Sequence, residues 1–204
     1  MLLRKKEYQP QNIRHRRSCM LLRRQEGQIQ WATGLFFLLF LGILLCSQLQ
    51  LLQYGAVSLY LEDALAASNL ASAVIDLEEY GSSHQILIKE PRQAYEKFCQ
   101  AVKGNLNLNE EWEGTNKYMI SGTVKIANFT VYNVYKEKVT ILSVMSDGEI
   151  SMHQGALGSV RAPNGVVIEA TSVYSEISFP VKGLFNIEAE ANKGKLVDIV
   201  AGVA

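Results

Sequence analysis

An uncharged stretch constrains this chain more than any other feature, because no charged residue lies between Glu26 and Glu62. Its most apolar part runs from Trp31 to Ser47. A helix needs about 20 mainly apolar residues to cross a hydrocarbon core roughly 30 Å thick. Residues 28–54 are therefore predicted to form a transmembrane helix. A buried helix of a soluble protein is the alternative, but an ordinary core helix does not carry Phe or Leu on every face, as Leu35–Leu41 does. The predicted membrane-anchoring side chains are Trp31, Leu35, Phe36, Phe37, Leu38, Phe40, Leu41, Ile43 and Leu44.

The charges on either side of this stretch are unequal, although 20 Lys and Arg balance 20 Asp and Glu over the 204 residues. Residues 1–26 hold eight basic and two acidic residues. Residues 27–204 therefore hold twelve basic and eighteen acidic residues. The positive-inside rule then predicts a cytoplasmic basic tail over 1–27 and an extracytoplasmic remainder, in a single-pass protein of the plasma or inner membrane. A nucleic-acid patch is the alternative function for the basic residues. The arginines that set this topology are Arg14, Arg16, Arg17, Arg23 and Arg24.

A cleaved signal peptide would also place an apolar segment near the N-terminus. Such a peptide has an apolar region of about 7–15 residues followed by a small-residue cleavage site. Here the apolar region is longer, and the first cluster of small residues (Ala64, Ala66, Ala67) follows Glu62 and Asp63. We therefore expect an anchor that stays uncleaved.

The helix is predicted to continue beyond the membrane, since apolar residues recur at helical spacing from Leu59 to Tyr80. We expect one helix from about Gln28 to Tyr80, with residues 55–81 as its extracytoplasmic extension. Small residues on a helix surface allow another helix to approach closely. The alanines have a second interpretation, which is packing on the chain's own outer domain. The predicted helix-contact residues are Gly34, Gly42, Ala66, Ala67 and Ala73.

Residues 82–204 have the pattern of a small α+β domain. A short strand-like run over Gln85–Lys89 precedes a second helix that begins at Pro91 and ends before Gly104. Beyond Lys117 the apolar residues alternate, with turn signals such as Asp147-Gly148 between the runs. We expect an antiparallel sheet of five or six strands, the last over Leu184–Ala189.

The sequence contains no recognisable catalytic or metal-binding motif. The three cysteines (Cys19, Cys46, Cys99) fall in the predicted tail, span and outer domain, so they form neither a disulfide framework nor a metal cluster. The three histidines are far apart and lack ligand spacing. We therefore predict no enzymatic activity, no catalytic residue, no cofactor, no metal and no nucleic-acid partner.

Three segments resemble those of TadE/TadF-like accessory pseudopilins of the tight-adherence (Flp) pilus system, especially the Gram-positive-type relatives. They are the stretch Arg23–Ala32, the alanine-rich Glu62–Asp76, and Ala162–Tyr174, which reads A-P-N-G-V-V-I-E-A-T-S-V-Y. The resemblance implies a pilin-like layout, in which a long N-terminal helix leads into a small sheet domain. It also implies the lipid bilayer and other pilus or secretion membrane proteins as partners.

One departure from that family concerns processing. Prepilin-like members have Glu five residues beyond the Gly of the cleavage site, whereas Ala32 holds that position relative to Gly27. The resemblance therefore implies a component retained in the membrane. Because M-L-L-R occurs at both Met1 and Met20, translation from Met20 is a further hypothesis, to be tested by intact mass.

The expected function is that of an accessory or assembly component of a pilus or related secretion machine. A membrane-anchored ligand-binding or sensor module is the alternative, and it would require a concave pocket with convergent polar groups.

Overall fold

The computed structural model describes residues 12–115, 120, 122–145, 148–182 and 188–199, with side chains from Ile29 onward except at positions 182 and 188. The chain divides into two compact units, Met1–Leu52 and Gln53–Ala204. The fold is α+β, as predicted, with one long apolar N-terminal helix and a five-stranded antiparallel sheet.

Helix α1 extends over Asn12–Ser72 and contains no proline. It includes the whole predicted transmembrane segment. Its start lies well before Gln28, so much of the predicted basic tail is helical. Its end at Ser72 corrects the prediction of one helix as far as Tyr80.

Asp76 explains why the helical pattern breaks after Ser72. The Asp76 Oδ1 accepts hydrogen bonds from the backbone N–H groups of Glu78 (3.1 Å) and Glu79 (3.2 Å), and thereby caps helix α2, Leu77–Ser83. The backbone N–H of Asp76 is bonded to the carbonyl of Leu87. An N-cap residue has non-helical backbone angles, so α1 cannot pass through it.

The segment predicted as a strand over Gln85–Lys89 is not part of the sheet, which corrects that prediction. Side chains hold it instead. Asn133 accepts from the Ile88 N–H through Oδ1 (2.9 Å) and donates to the Ile88 carbonyl through Nδ2 (2.8 Å). The Thr171 hydroxyl donates to the carbonyl of Ile86 (2.8 Å). These bonds satisfy a buried backbone without a β ladder.

Helix α3, Pro91–Asn105, begins at a proline as predicted. Ala94, Phe98 and Val102 recur at helical spacing and are buried. In the loop that follows, the partly buried Trp112 packs against the core.

The sheet has the strand order β3-β2-β1-β4-β5, and every pair is antiparallel. The final strand was predicted at Leu184–Ala189; its described part starts at Glu188 and continues beyond the prediction to Asp198. Residues 183–187, and Asp147 of the predicted turn, lie outside the described chain. The strands are β1 (Lys125–Tyr135), β2 (Lys138–Val144), β3 (Ile150–Ala156), β4 (Ser172–Lys182) and β5 (Glu188–Asp198).

The two faces of the sheet are covered differently. On one face Phe129 and Val131 of β1 form a core with α3 and with Leu61 and Leu65 of α1. On the other face Tyr132 and Tyr174 pack beneath the segment between β3 and β4. The residues of that second, smaller cluster are Tyr132, Val139, Ala162, Ile168 and Tyr174.

Candidate functional site

The apolar part of α1 is the feature most directly suited to a function. Within this part the mean hydropathy reaches 2.3 over an 18-residue window, none of which is buried. By length and composition it is a candidate membrane span, and it is the single candidate among the described helices. All nine predicted anchor side chains are exposed, from 42% at Leu41 to 83% at Trp31. Apolar surface of this extent is unfavourable in water and favourable in lipid.

Two hydroxyl groups in this segment are satisfied within the helix itself. The Thr33 hydroxyl donates to the carbonyl of Ile29, and the Ser47 hydroxyl donates to the carbonyl of Ile43, both across 2.9 Å. Such bonds keep these two hydroxyl donors satisfied without a partner from outside the helix, as a hydrocarbon environment requires.

The predicted helix-contact residues fall into two groups. A Cβ added at Gly34 or Gly42 would meet no atom within 4 Å, so the described structure leaves both positions open. Ala73 is half-buried and packs against the core of the unit Gln53–Ala204, while Ala67 is exposed. Packing on the chain's own domain therefore accounts for Ala73 but not for Ala67. Ala66 is half-buried.

The five topology arginines belong to α1, and their side chains lie outside the described side chains.

The residues that attach α1 to the sheet were not predicted from the sequence. Ser68, Asn69 and Ser72 are fully buried, whereas the apolar Leu70 and Leu77 are largely exposed. The Asn69 Nδ2 donates to the backbone carbonyls of Lys195 (2.9 Å) and Val173 (3.4 Å). Leu61, Leu65 and Ser68 recur at helical spacing and so mark one face of α1. Because polar side chains lie on this face, the sequence does not indicate that it is buried.

A cluster of opposite charges lies beside this buried polar face. The Lys195 Nζ contacts Glu62 Oε1 at 2.6 Å, and the Lys193 Nζ contacts Glu62 Oε2 at 3.1 Å. Lys193 also donates to the hydroxyl of Ser58 (3.0 Å). The hydrogen bond from Lys195 and, to a smaller extent, the one from Lys193 lower the pKa of Glu62 below its usual value. The cluster therefore joins α1 to β5 by charge as well as by hydrogen bonds.

Cys99 and two of the tyrosines lie in partly or fully buried positions that disfavour their ionised forms. Burial raises the pKa of the Cys99 thiol, so the thiolate needed for nucleophilic chemistry is disfavoured. Burial also raises the pKa of Tyr95 and of Tyr174 to about 12. Among the described residues no group of three His, Cys, Asp or Glu side chains is arranged to hold a metal ion.

A shallow polar cleft of about 520 Å³ lies between the N-terminal end of β1 and the neighbouring strands β4 and β5. Glu190 accepts a hydrogen bond from the buried Ser178 hydroxyl (2.5 Å), and Lys125 and Asn192 supply further polar groups. The cleft is wide open, so a small molecule there would remain in contact with water.

No protein-family model, curated protein or solved structure matches this chain at a significant level.

Proposed function

We propose that this chain is a non-enzymatic, single-pass membrane protein whose outer α+β domain serves as an accessory or assembly component of a pilus or related secretion machine. The observation that carries the membrane part is the exposed, uncharged segment of α1. The same helix contributes Leu61 and Leu65 to the core of the outer unit. An anchor and a folded domain that share one helix suit a protein that must stay at the membrane surface while it contacts partners.

The pilus part of the proposal comes from the sequence resemblance. Arg23–Ala32 and Glu62–Asp76 carry the similarity to accessory pseudopilins. Ala32 replaces the glutamate that prepilin-like members have at this position, which supports retention in the membrane rather than incorporation into a filament core. The proposed orientation has the basic N-terminal tail in the cytoplasm and residues 62–204 outside.

A pull-down from crosslinked membranes, with a tag at Ala204, tests the pilus assignment. We expect recovery of a secretion ATPase, a polytopic platform protein or a small pilin. Intact mass on the same sample should show that the span is still attached. Recovery of the tagged protein without any such machine component would contradict the assignment, and a mass lacking residues 1–54 would contradict a retained anchor.

A ligand-binding module is the second candidate, and the polar cleft near Ser178 and Glu190 is the observation that favours it. Ligand binding to the native state raises Tm by mass action. A reproducible increase in Tm with a small polar ligand, abolished by Glu190→Gln but not by Glu96→Gln, would support this candidate. No increase across amino acids, sugars and nucleotides would count against it.

A further inference from the structure

Strand β3 forms one edge of the sheet, because its only neighbour in the described sheet is β2. Two hydrogen bonds fix which backbone groups face outward: Leu157 N–H to Glu137 O (2.9 Å) and Met145 N–H to Glu149 O (2.8 Å). Antiparallel pairs alternate between bonded and non-bonded positions. Odd-numbered residues of β3 therefore bond to β2, and Ile150, Met152 and Gln154 direct their N–H and C=O groups away from the sheet.

The side chains of β3 leave this edge unprotected. Exposed edge strands are usually guarded by charges, proline or a covering element. The opposite edge strand, β5, carries Glu190, Lys193 and Lys195, whereas β3 has no charged residue between Ile150 and Ala156. Met152 is 64% exposed, and Met145 beside the strand is 50% exposed.

The described helices leave the side chain of Met152 largely uncovered. Helix α3 packs on β2, and α1 reaches β4 and β5 through Asn69 and Glu62. The exposed methionines therefore lie beyond the helical layer, next to a row of outward backbone donors and acceptors. Only an extended segment presents backbone groups at the spacing that such a row needs.

We propose that β3 pairs in an antiparallel manner with β3 of a second copy of this chain, so that two five-stranded sheets become one. Centring the pair on Met152 places Ile150 opposite Gln154 of the partner copy, and all three outward-facing residues then form hydrogen-bonded pairs. A two-fold pairing sets identical strands against each other. Because β3 is uncharged, this pairing brings no like charges together, as pairing through β5 would.

The proposed interface is small, which determines where it forms. Stable soluble complexes bury about 1,200–2,000 Å² in total, more than one seven-residue strand pair supplies. Anchoring two copies in one membrane raises their effective concentration and allows a smaller interface to suffice. This part of the inference rests on the proposed membrane function.

Disulfide trapping in native membranes tests the pairing. In the full chain with Cys19, Cys46 and Cys99 changed to serine, Met152→Cys puts two thiols directly opposite each other. Residues of a hydrogen-bonded pair have Cα atoms about 5.5 Å apart, within disulfide range, so we expect at least about five-fold more crosslinked dimer than for the control His153→Cys. The control residue is exposed and lies next in sequence, but in this register it faces Ser151 of the partner copy.

A second pair of variants checks the register. Co-expressed copies carrying Ile150→Cys and Gln154→Cys should form a mixed dimer, while Gln154→Cys alone should crosslink weakly. Equal crosslinking of Met152→Cys and His153→Cys, no dimer from either, or capture of a different protein by Met152→Cys would overturn the proposal.

Alkaline carbonate extraction of the same membranes separates this inference from the proposed function. Protein that remains in the pellet without a Met152→Cys dimer contradicts the strand pairing alone. Release into the supernatant contradicts the membrane anchor, whether or not the dimer forms.

Discussion

The side-chain amide of Asn69 donates a hydrogen bond of 2.9 Å to the backbone carbonyl of Lys195, which lies 126 residues further along the chain. Asn69 is fully buried, and its Oδ1 has no hydrogen-bond partner in the described structure. The Ser175 hydroxyl is likewise buried and unpartnered, and Ser175 is paired with Lys195 in the sheet. The contact between α1 and the sheet is thus polar at this buried position.

Truncating Asn69 should destabilise the α+β domain. Asn69→Ala removes the donor to Lys195 and leaves a cavity, so we expect a loss of about 1–3 kcal/mol in the free energy of unfolding. Chemical denaturation of the full chain in detergent measures it. The exposed neighbour Ala67 provides the control: Ala67→Ser should change the same quantity by no more than about 0.5 kcal/mol. Equal effects of the two substitutions would show that the Asn69 contact is not needed.

The ion pairs of Glu62 predict a pH dependence. Its pKa is lowered from 4.5 in the folded state, so its contribution to stability is fully present above that value and is lost as the pH falls through the folded-state pKa. Glu62→Gln should therefore show a smaller decrease in Tm than the wild type as the pH falls below about 5. Asp63→Asn, a change at the exposed adjacent residue, should keep the wild-type slope. A wild-type slope in Glu62→Gln would contradict the prediction.

Two glycines should respond in opposite ways to alanine. A Cβ at Gly194 would collide with the hydroxyl of Tyr174, a 3% exposed residue, so Gly194→Ala should destabilise the fold by about 1–3 kcal/mol. A Cβ at Gly81 in α2 meets nothing within 4 Å. Gly81→Ala should stabilise the fold by about 0.5–1 kcal/mol because alanine restricts the unfolded chain. Thermal denaturation compares the two, and similar changes in Tm would contradict the expected packing.

A charge in the middle of the apolar segment should impair membrane insertion. An arginine at the centre of a transmembrane helix costs about 2.5–3.5 kcal/mol on insertion scales. The double variant with Leu38→Arg and Leu41→Arg should therefore move from the carbonate-resistant pellet towards the soluble fraction. Gln30→Arg, at the end of the segment, is the matched control and should stay in the pellet. Retention of both variants would mean that hydrophobic insertion does not hold the protein at the membrane.

Much of the architecture is encoded locally. The long helix was predicted from the absence of charge from Gln28 onward. Pro91 predicted the start of α3, and the alternation along β1 predicted an antiparallel sheet. These signals depend on neighbouring residues, so a sequence shows them without knowledge of tertiary contacts.

The errors arose where a local signal was overridden or misjudged. Asp76 with Glu79 three residues later is a helix-start signal, but the alanine-rich periodicity before it suggested an unbroken helix. The attachment of α1 to β5 could not be read from the sequence, because a buried asparagine among alanines gives no indication of a partner as distant as Lys195. Nor could the neutral edge of β3 be recognised before the strand order was known.

The central claim is a single membrane span with the folded domain outside the cytoplasm. The most direct measurement uses sealed membranes oriented as in the cell, with a tag at Ala204, and combines carbonate extraction with protease digestion. We expect the protein to remain in the pellet and the tag to be digested without detergent. Release of the intact protein by carbonate, or protection of the tag until detergent is added, would contradict the account.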